Sequence, residues 1–146
     1  MIRKGGLAAL ALATMLGAGP VLADATAKVA IQVDENDPQV MNLALNNASN
    51  IAAHYAELGQ EVAIEIVTYG PGLHMLRADT SPVKDRIEQM AMAGAPITFA
   101  ACNNTLKGMT AKEGAAPALI EEATVVPSGA VRLMELQGEG FAYIRP

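Results

Sequence analysis

The 146-residue chain holds one cysteine and two histidines. The cysteine is the one with a chemically suggestive setting. Cys102 directly follows the uncharged run ITFAA at 97–101 and directly precedes Asn103, Asn104 and Thr105. The first run has the character of a buried parallel strand, and the second has side chains that open helices. A thiol between a strand end and a helix N-terminus faces unpaired backbone N–H groups and the positive end of the helix dipole, and both favour the thiolate. The thiolate is the form that attacks sulfur. Lys107 would add positive charge, whereas Asp34 and Glu35 would oppose ionisation if the fold brought them near. The same spacing also describes an inert thiol packed as a small hydrophobe, so the residues alone leave both readings open.

His74 lies just past Gly70, Pro71 and Gly72 and is the candidate base for Cys102. No acidic residue is identifiable to orient it, and an ordinary loop histidine is the competing reading. His54 falls on the polar side of a helix and is expected to be solvated. One cysteine and two scattered histidines lack metal-ligand spacing, and Asp34, Glu35 and Asp37 read as helix-capping charge rather than as a cation site. There is no Gly-x-Gly-x-x-Gly, no Walker loop and no Gly-x-Ser-x-Gly, so the common nucleotide and hydrolase signatures are absent and no cofactor is implied. A formal charge of −5 with 3 % aromatic residues leaves no basic patch for nucleic acid or an anionic membrane surface. A lone cysteine excludes an internal disulfide and, with no Cys-x-x-Cys, argues against a thiol oxidoreductase.

These residues must be held by elements that the hydrophobic pattern makes legible. The run KVAIQV at 28–33 reads as a first strand. Asp37 followed by Pro38 is a helix start, and Met41, Ala44, Leu45, Ala48, Ile51, Ala52, Tyr55 and Leu58 then recur at helical spacing up to Gly59. Asn42, Asn46 and Asn50 fall four apart on another face. EVAIEIVTY at 61–69 is a second strand stopped by Gly70, Pro71 and Gly72. Ser81 and Pro82 start a second helix that runs to Gly94, and ITFAA is the third strand. A short helix is expected from Asn103 through Met109, a loop over 110–117, a helical turn over 118–122, a fourth strand at 124–126, a helix over 130–137 and a last strand over 141–144. Met41, Met90 and Met92 read as core filler. Strands alternating with helices predict one α/β domain, a three-layer α/β/α sandwich with a mainly parallel five-stranded sheet. In such a sheet the carboxyl ends of the strands gather ligands. That edge would collect Asp34, Glu35 and Asn36, then Gly70, Pro71 and Gly72, then Cys102, Asn103 and Asn104, then Pro127, Ser128 and Gly129. Gly70 and Gly72 would let backbone approach a ligand closely, and the backbone N–H groups of Asn103, Asn104 and Thr105 are candidates to bind an anionic sulfur.

The N-terminus carries Arg3 and Lys4, an apolar stretch at 7–16, a helix-breaking Gly17, Ala18, Gly19 and Pro20, and then Val21, Leu22 and Ala23. This is the layout of a cleavable secretory signal over 1–23, with cleavage after Ala23; the apolar stretch is shorter than the about 20 residues of a membrane span. The expectation is a periplasmic protein of residues 24–146, with no membrane span, whose formal charge is −7 once Arg3 and Lys4 are removed.

VTYGPGL at 67–73, ITFAACNNTLKGM at 97–109 and VVPSGAVRLMELQGEGFAYIRP at 125–146 together resemble the DsrE/DsrF-like family of sulfur-relay proteins, particularly its exported small members. The resemblance implies a three-layer α/β/α sandwich with a five-stranded parallel sheet, assembly as a homo-oligomer (trimer or hexamer) with the site near a subunit contact, and partner proteins that donate and accept sulfur. It also implies a cysteine after a strand that takes sulfur as a persulfide, and Cys102 is the residue that matches. The alternative of another class is a non-catalytic oligomeric module that binds a small ligand or partner at the strand-end edge, with Cys102 buried and inert.

Overall fold

In the computed structural model, which describes residues 27–146, the apolar runs become five strands: β1 (Ala27–Val33), β2 (Val62–Thr68), β3 (Ile97–Cys102), β4 (Ala123–Val126) and β5 (Ala142–Ile144). Four α-helices connect them: α1 (Pro38–Glu57), α2 (Lys84–Met92), α3 (Asn103–Glu113) and α4 (Gly129–Gly138); a 3-10 helix, Gly70–Leu76, precedes α2. The segment read as a signal peptide, with its cleavage after Ala23, lies outside the described residues. Among the described residues no helix is long and apolar enough to cross a membrane.

All strand pairs are parallel and the order is β4-β3-β2-β1-β5. Parallel crossovers are right-handed, so the steps from β1 to β2, β2 to β3 and β3 to β4, all in one direction, lay their helices on one face. The step from β4 to β5 runs the other way across the sheet and must lay α4 on the opposite face. Side chains alternate accordingly. Val29, Ile31, Val33, Ile64, Ile66, Phe99 and Ala101 pack with Met41, Ala44, Leu45 and Ala48 of α1 and Ile87 of α2. Ala30, Val67 and Ala100 pack with Leu133 and Leu136 of α4.

Local chemistry fixes the helices. Asp37 caps α1, its Oδ1 accepting from Gln39 N–H at 2.7 Å, with Pro38 in the first turn. The asparagine row on α1 has a structural use: the Arg86 guanidinium of α2 donates to Asn42 Oδ1 at 2.8 Å and to Asn46 Oδ1 at 2.6 Å. Three expectations are corrected. The helix after Cys102 runs to Glu113 instead of Met109, because its stop is Gly114 at φ +80°, a left-handed cap. Residues 118–122 are extended rather than helical: Ile120 N–H donates to Leu76 O at 3.0 Å and Leu119 bridges Arg77. Met92 is 80 % exposed rather than core, since it lies at the end of α2 past the buried Ile87.

The buried polar side chains among the described residues are Gln32, Glu65 and Thr68, and each has a partner, as burial requires. Tyr143 Oη donates to Gln32 at 2.6 Å, Thr68 Oγ1 to Ala100 O at 3.2 Å, and Arg132 of α4 grips Glu65 of β2 with two bonds of 2.7 Å. Deleting one member of such a pair strands the other's charge. Arg132→Ala is therefore expected to lower stability by about 3 kcal/mol, while Glu65→Leu with Arg132→Leu restores most of the loss. Urea unfolding of the three proteins checks this; a single variant as stable as wild type would show that the pair contributes nothing.

Candidate functional site

The reversal of the last crossover shapes the carboxyl edge of the sheet. Cys102, the last residue of β3, is in register with Val126, the last residue of β4. The chain leaves β3 into α3 on one face and leaves β4 into α4 on the other, so two helix N-termini flank the sulfur. This is a topological switch point, where open α/β sheets place their ligands. Cys102 is itself the N-cap of α3 (φ −69°, ψ 116°). The first N–H groups of a helix have no partner inside it, and those of Asn104 and Thr105 act on the sulfur; across the crevice so does the N–H of Gly129, the first residue of α4. The resting sulfur takes no capping bond of ordinary length.

The residue is 4 % exposed. Burial is the largest single influence on the thiol and pushes its pKa up, but the Thr105 hydroxyl and the amides of Gly129, Thr105 and Asn104 together outweigh it. The thiol lies below the ordinary cysteine value. No positively charged group contributes. Lys107 is exposed and does not act on the sulfur, and Arg145 is held by Asp34 at 3.2 Å and Glu35 at 3.1 Å.

Tyr69, just past β2, forms the next layer. Its ring lies against the first turn of α4 in space that only a glycine leaves: a Cβ on Gly129 would meet Tyr69 Cδ1 at 2.8 Å. The phenol's pKa is raised, first by burial, then by the negative charge of Asp34 and by Tyr143, with Arg145 opposing and Cys102 adding to the rise. Tyr69 thus stands between the thiol and a polar rim made by the ends of β1 and β5.

Of the residues singled out in the sequence, Cys102, Asn104, Thr105 and Gly70 come together. Gly70 N–H donates to Thr105 Oγ1 at 2.8 Å. Gly72 is needed for a different reason: a Cβ there would run into the backbone of Val33 and Asp34. It packs the 3-10 helix onto β1. Asn103 opens α3 without a side-chain cap bond. His74 is not brought to the thiol. Its Nε2 lies 3.0 Å from Thr80 O, and its charge bears on Glu113, the residue at the far end of α3 that pairs with Arg77 at 2.7 Å. His54 is exposed and stacks edge-on against Tyr55. Sequence reasoning passed over Gly129 and Tyr69 as site residues. Ser128 was a visible N-cap signal, and its Oγ does accept from Val131 N–H at 3.5 Å, but only the strand order sets that helix start beside Cys102. Among the described residues no group of His, Cys, Asp and Glu is placed to hold a metal ion.

Two outcomes follow from this geometry. A thiol whose folded pKa lies below its unfolded value gives stability that is fully present above the unfolded value and lost as pH falls through the folded one. Relative to Cys102→Ala, the wild-type protein is expected to gain stability as pH rises toward about 8.5 and to level off above it; urea midpoints at a series of pH values measure this, and a flat difference contradicts the lowered thiol. Gly129→Ala, which would gain by helix propensity alone, is expected instead to lose about 1–2 kcal/mol through overpacking against Tyr69. A variant that melts at or above the wild-type temperature would mean the ring swings aside freely.

The comparisons with known proteins agree with this architecture. The model of the DsrE/DsrF-like family matches residues 27–146. A solved protein of unknown function from Methanobacterium thermoautotrophicum is 33 % identical, with a TM-score of 0.69, over 82 % of this chain and 99 % of that one. No curated protein matches.

Proposed function

The chain belongs to the DsrE/DsrF-like family, and we propose that it is a sulfur carrier that accepts sulfane sulfur as a persulfide on Cys102. The observation that supports this most is the thiol's setting at the switch point, where three backbone amides and one hydroxyl favour its anion against burial. The sulfur-relay role general to the family supplies the cargo.

In the step we envisage, the Cys102 thiolate attacks the outer sulfur of a donor persulfide. A bond forms between Sγ and that sulfur, the donor's S–S bond breaks, and the donor leaves as a thiolate that takes up the persulfide's proton. No electrons are gained or lost overall. Because Cys102 is the chain's one cysteine, the return step needs a thiolate from an acceptor protein, which attacks the outer sulfur and releases Cys102 unchanged. The same amides that face the thiolate would face the terminal sulfur of the persulfide. The reading places the protein in the periplasm after removal of its signal segment, as a homo-oligomer of three or six copies meeting donor and acceptor proteins.

A second reading, an oligomeric binding module with an inert thiol, is favoured by one fact: Cys102 is 4 % exposed. Intact-mass measurement after treatment with a persulfide donor separates the two. The carrier gains one sulfur atom on the native protein and none on Cys102→Ala. A native protein that stays unmodified, while the same protein labels once unfolded in urea, sinks the carrier and leaves the module.

A further inference from the structure

Thr105 carries more than its backbone into this site. Deepening the carrier reading above, we infer that Thr105 is a positioning residue for the sulfur: the Gly70 amide fixes its hydroxyl oxygen so that the hydroxyl proton is presented to Cys102.

A threonine hydroxyl has one proton to give and two lone pairs to receive. Gly70 N–H occupies the acceptor side of Oγ1 at 2.8 Å, which leaves the proton to be donated elsewhere, and the hydroxyl acts on the Cys102 sulfur. Thr105 is the third residue of α3, so its own N–H is one of those without a helical partner and acts on the same atom. One residue therefore supplies two donors.

The anchor for this arrangement lies on a different strand. Gly70 follows β2 with φ +53°, a left-handed conformation that costs other residues roughly 1–2 kcal/mol. A Cβ there would come no closer than 4.0 Å to Asp34 O. Glycine at 70 is thus required by backbone conformation and not by space, and that conformation aims the amide at Thr105. The ionisable group facing the thiol is the Tyr69 phenol. Its raised value keeps it neutral through the range in which a cysteine titrates, so it does not blur the measurement.

The test is the pH dependence of Cys102 alkylation by a small neutral haloacetamide on the folded full chain. Thr105→Val keeps the side-chain shape and removes the hydroxyl; its midpoint is expected about one pH unit above wild type, with the rate near neutral pH falling about tenfold and the high-pH plateau unchanged. Thr105→Ser retains the hydroxyl and is expected to stay close to wild type. Should Thr105→Val fail to fold, Thr105→Ala removes the hydroxyl with less bulk and is read in the same way. A valine (or alanine) midpoint equal to wild type overturns the inference, as does a serine midpoint displaced as far as the valine one, which would credit the methyl group. The carrier reading fails by another readout, absence of persulfide uptake by the wild-type protein, whichever way the midpoints fall.

Discussion

The handedness of parallel crossovers governs this molecule. Three right-handed steps in one direction commit α1, α2 and α3 to one face, and the return from β4 to β5 commits α4 to the other. Adjacent strands β3 and β4 therefore send their chains to opposite sides, and the gap between the departing helices is where Cys102 sits. Had β5 been added beyond β4, α4 would have joined the other helices and its N-terminus would have lain beside α3 on the same side. The second amide, from Gly129, would then not reach the sulfur from across the sheet edge. The site is a consequence of strand order before it is a consequence of any side chain.

Within that gap two opposing effects act on one atom. Burial disfavours an anion, and it is the strongest single influence on the thiol. A hydrogen bond to a charged group contributes about 1.5–3 kcal/mol, so one donor would not offset deep burial, whereas several converging donors do. The donors here are Thr105 twice, Asn104 and Gly129. They are the otherwise unpaired groups of two helix starts, and folding has already fixed them in place, so no reorganisation is needed when charge appears. The thiol is at once covered and disposed to ionise, the combination that kept its two readings apart.

Much of this was legible in the sequence, and the rest was not, for identifiable reasons. The strands and α1 follow from local signals: β-branched runs, Asp37 before Pro38 and the apolar row from Met41 to Leu58. Cys102 at a strand–helix junction is also a local fact, visible in ITFAAC followed by Asn103. Local reading failed where the deciding contact is distant. Residues 118–122 look able to coil, but pairing with Leu76 and Arg77 extends them. His74 lies near the Gly70 turn in sequence, yet its imidazole turns toward Thr80 and the Arg77–Glu113 pair. The share of Gly129 in the site depends on which strand neighbours β3, and no local spacing encodes that. Asn42 and Asn46 showed a regular spacing with no evident purpose until Arg86 arrived from α2.

The means by which the thiolate is favoured has a consequence for how the site tolerates change. Many reactive cysteines rely on a neighbouring lysine, arginine or histidine, a charge that salt screens when it is exposed and that a single substitution removes. In this site the cations are elsewhere engaged: Arg145 with Asp34 and Glu35, Arg132 with Glu65, Arg77 with Asp79 and Glu113. What acts on Cys102 is three backbone dipoles and one hydroxyl anchored by a fourth amide. Dipoles at contact distance in a covered crevice are screened little by dissolved ions, and backbone amides survive most substitutions of their own side chains. The vulnerable positions are then the ones that set backbone path rather than charge: Gly70 for its conformation, Gly129 for the space it leaves to Tyr69, and Gly72 for its closeness to β1. In this fold the glycines, more than the charged residues, specify the chemistry of the thiol.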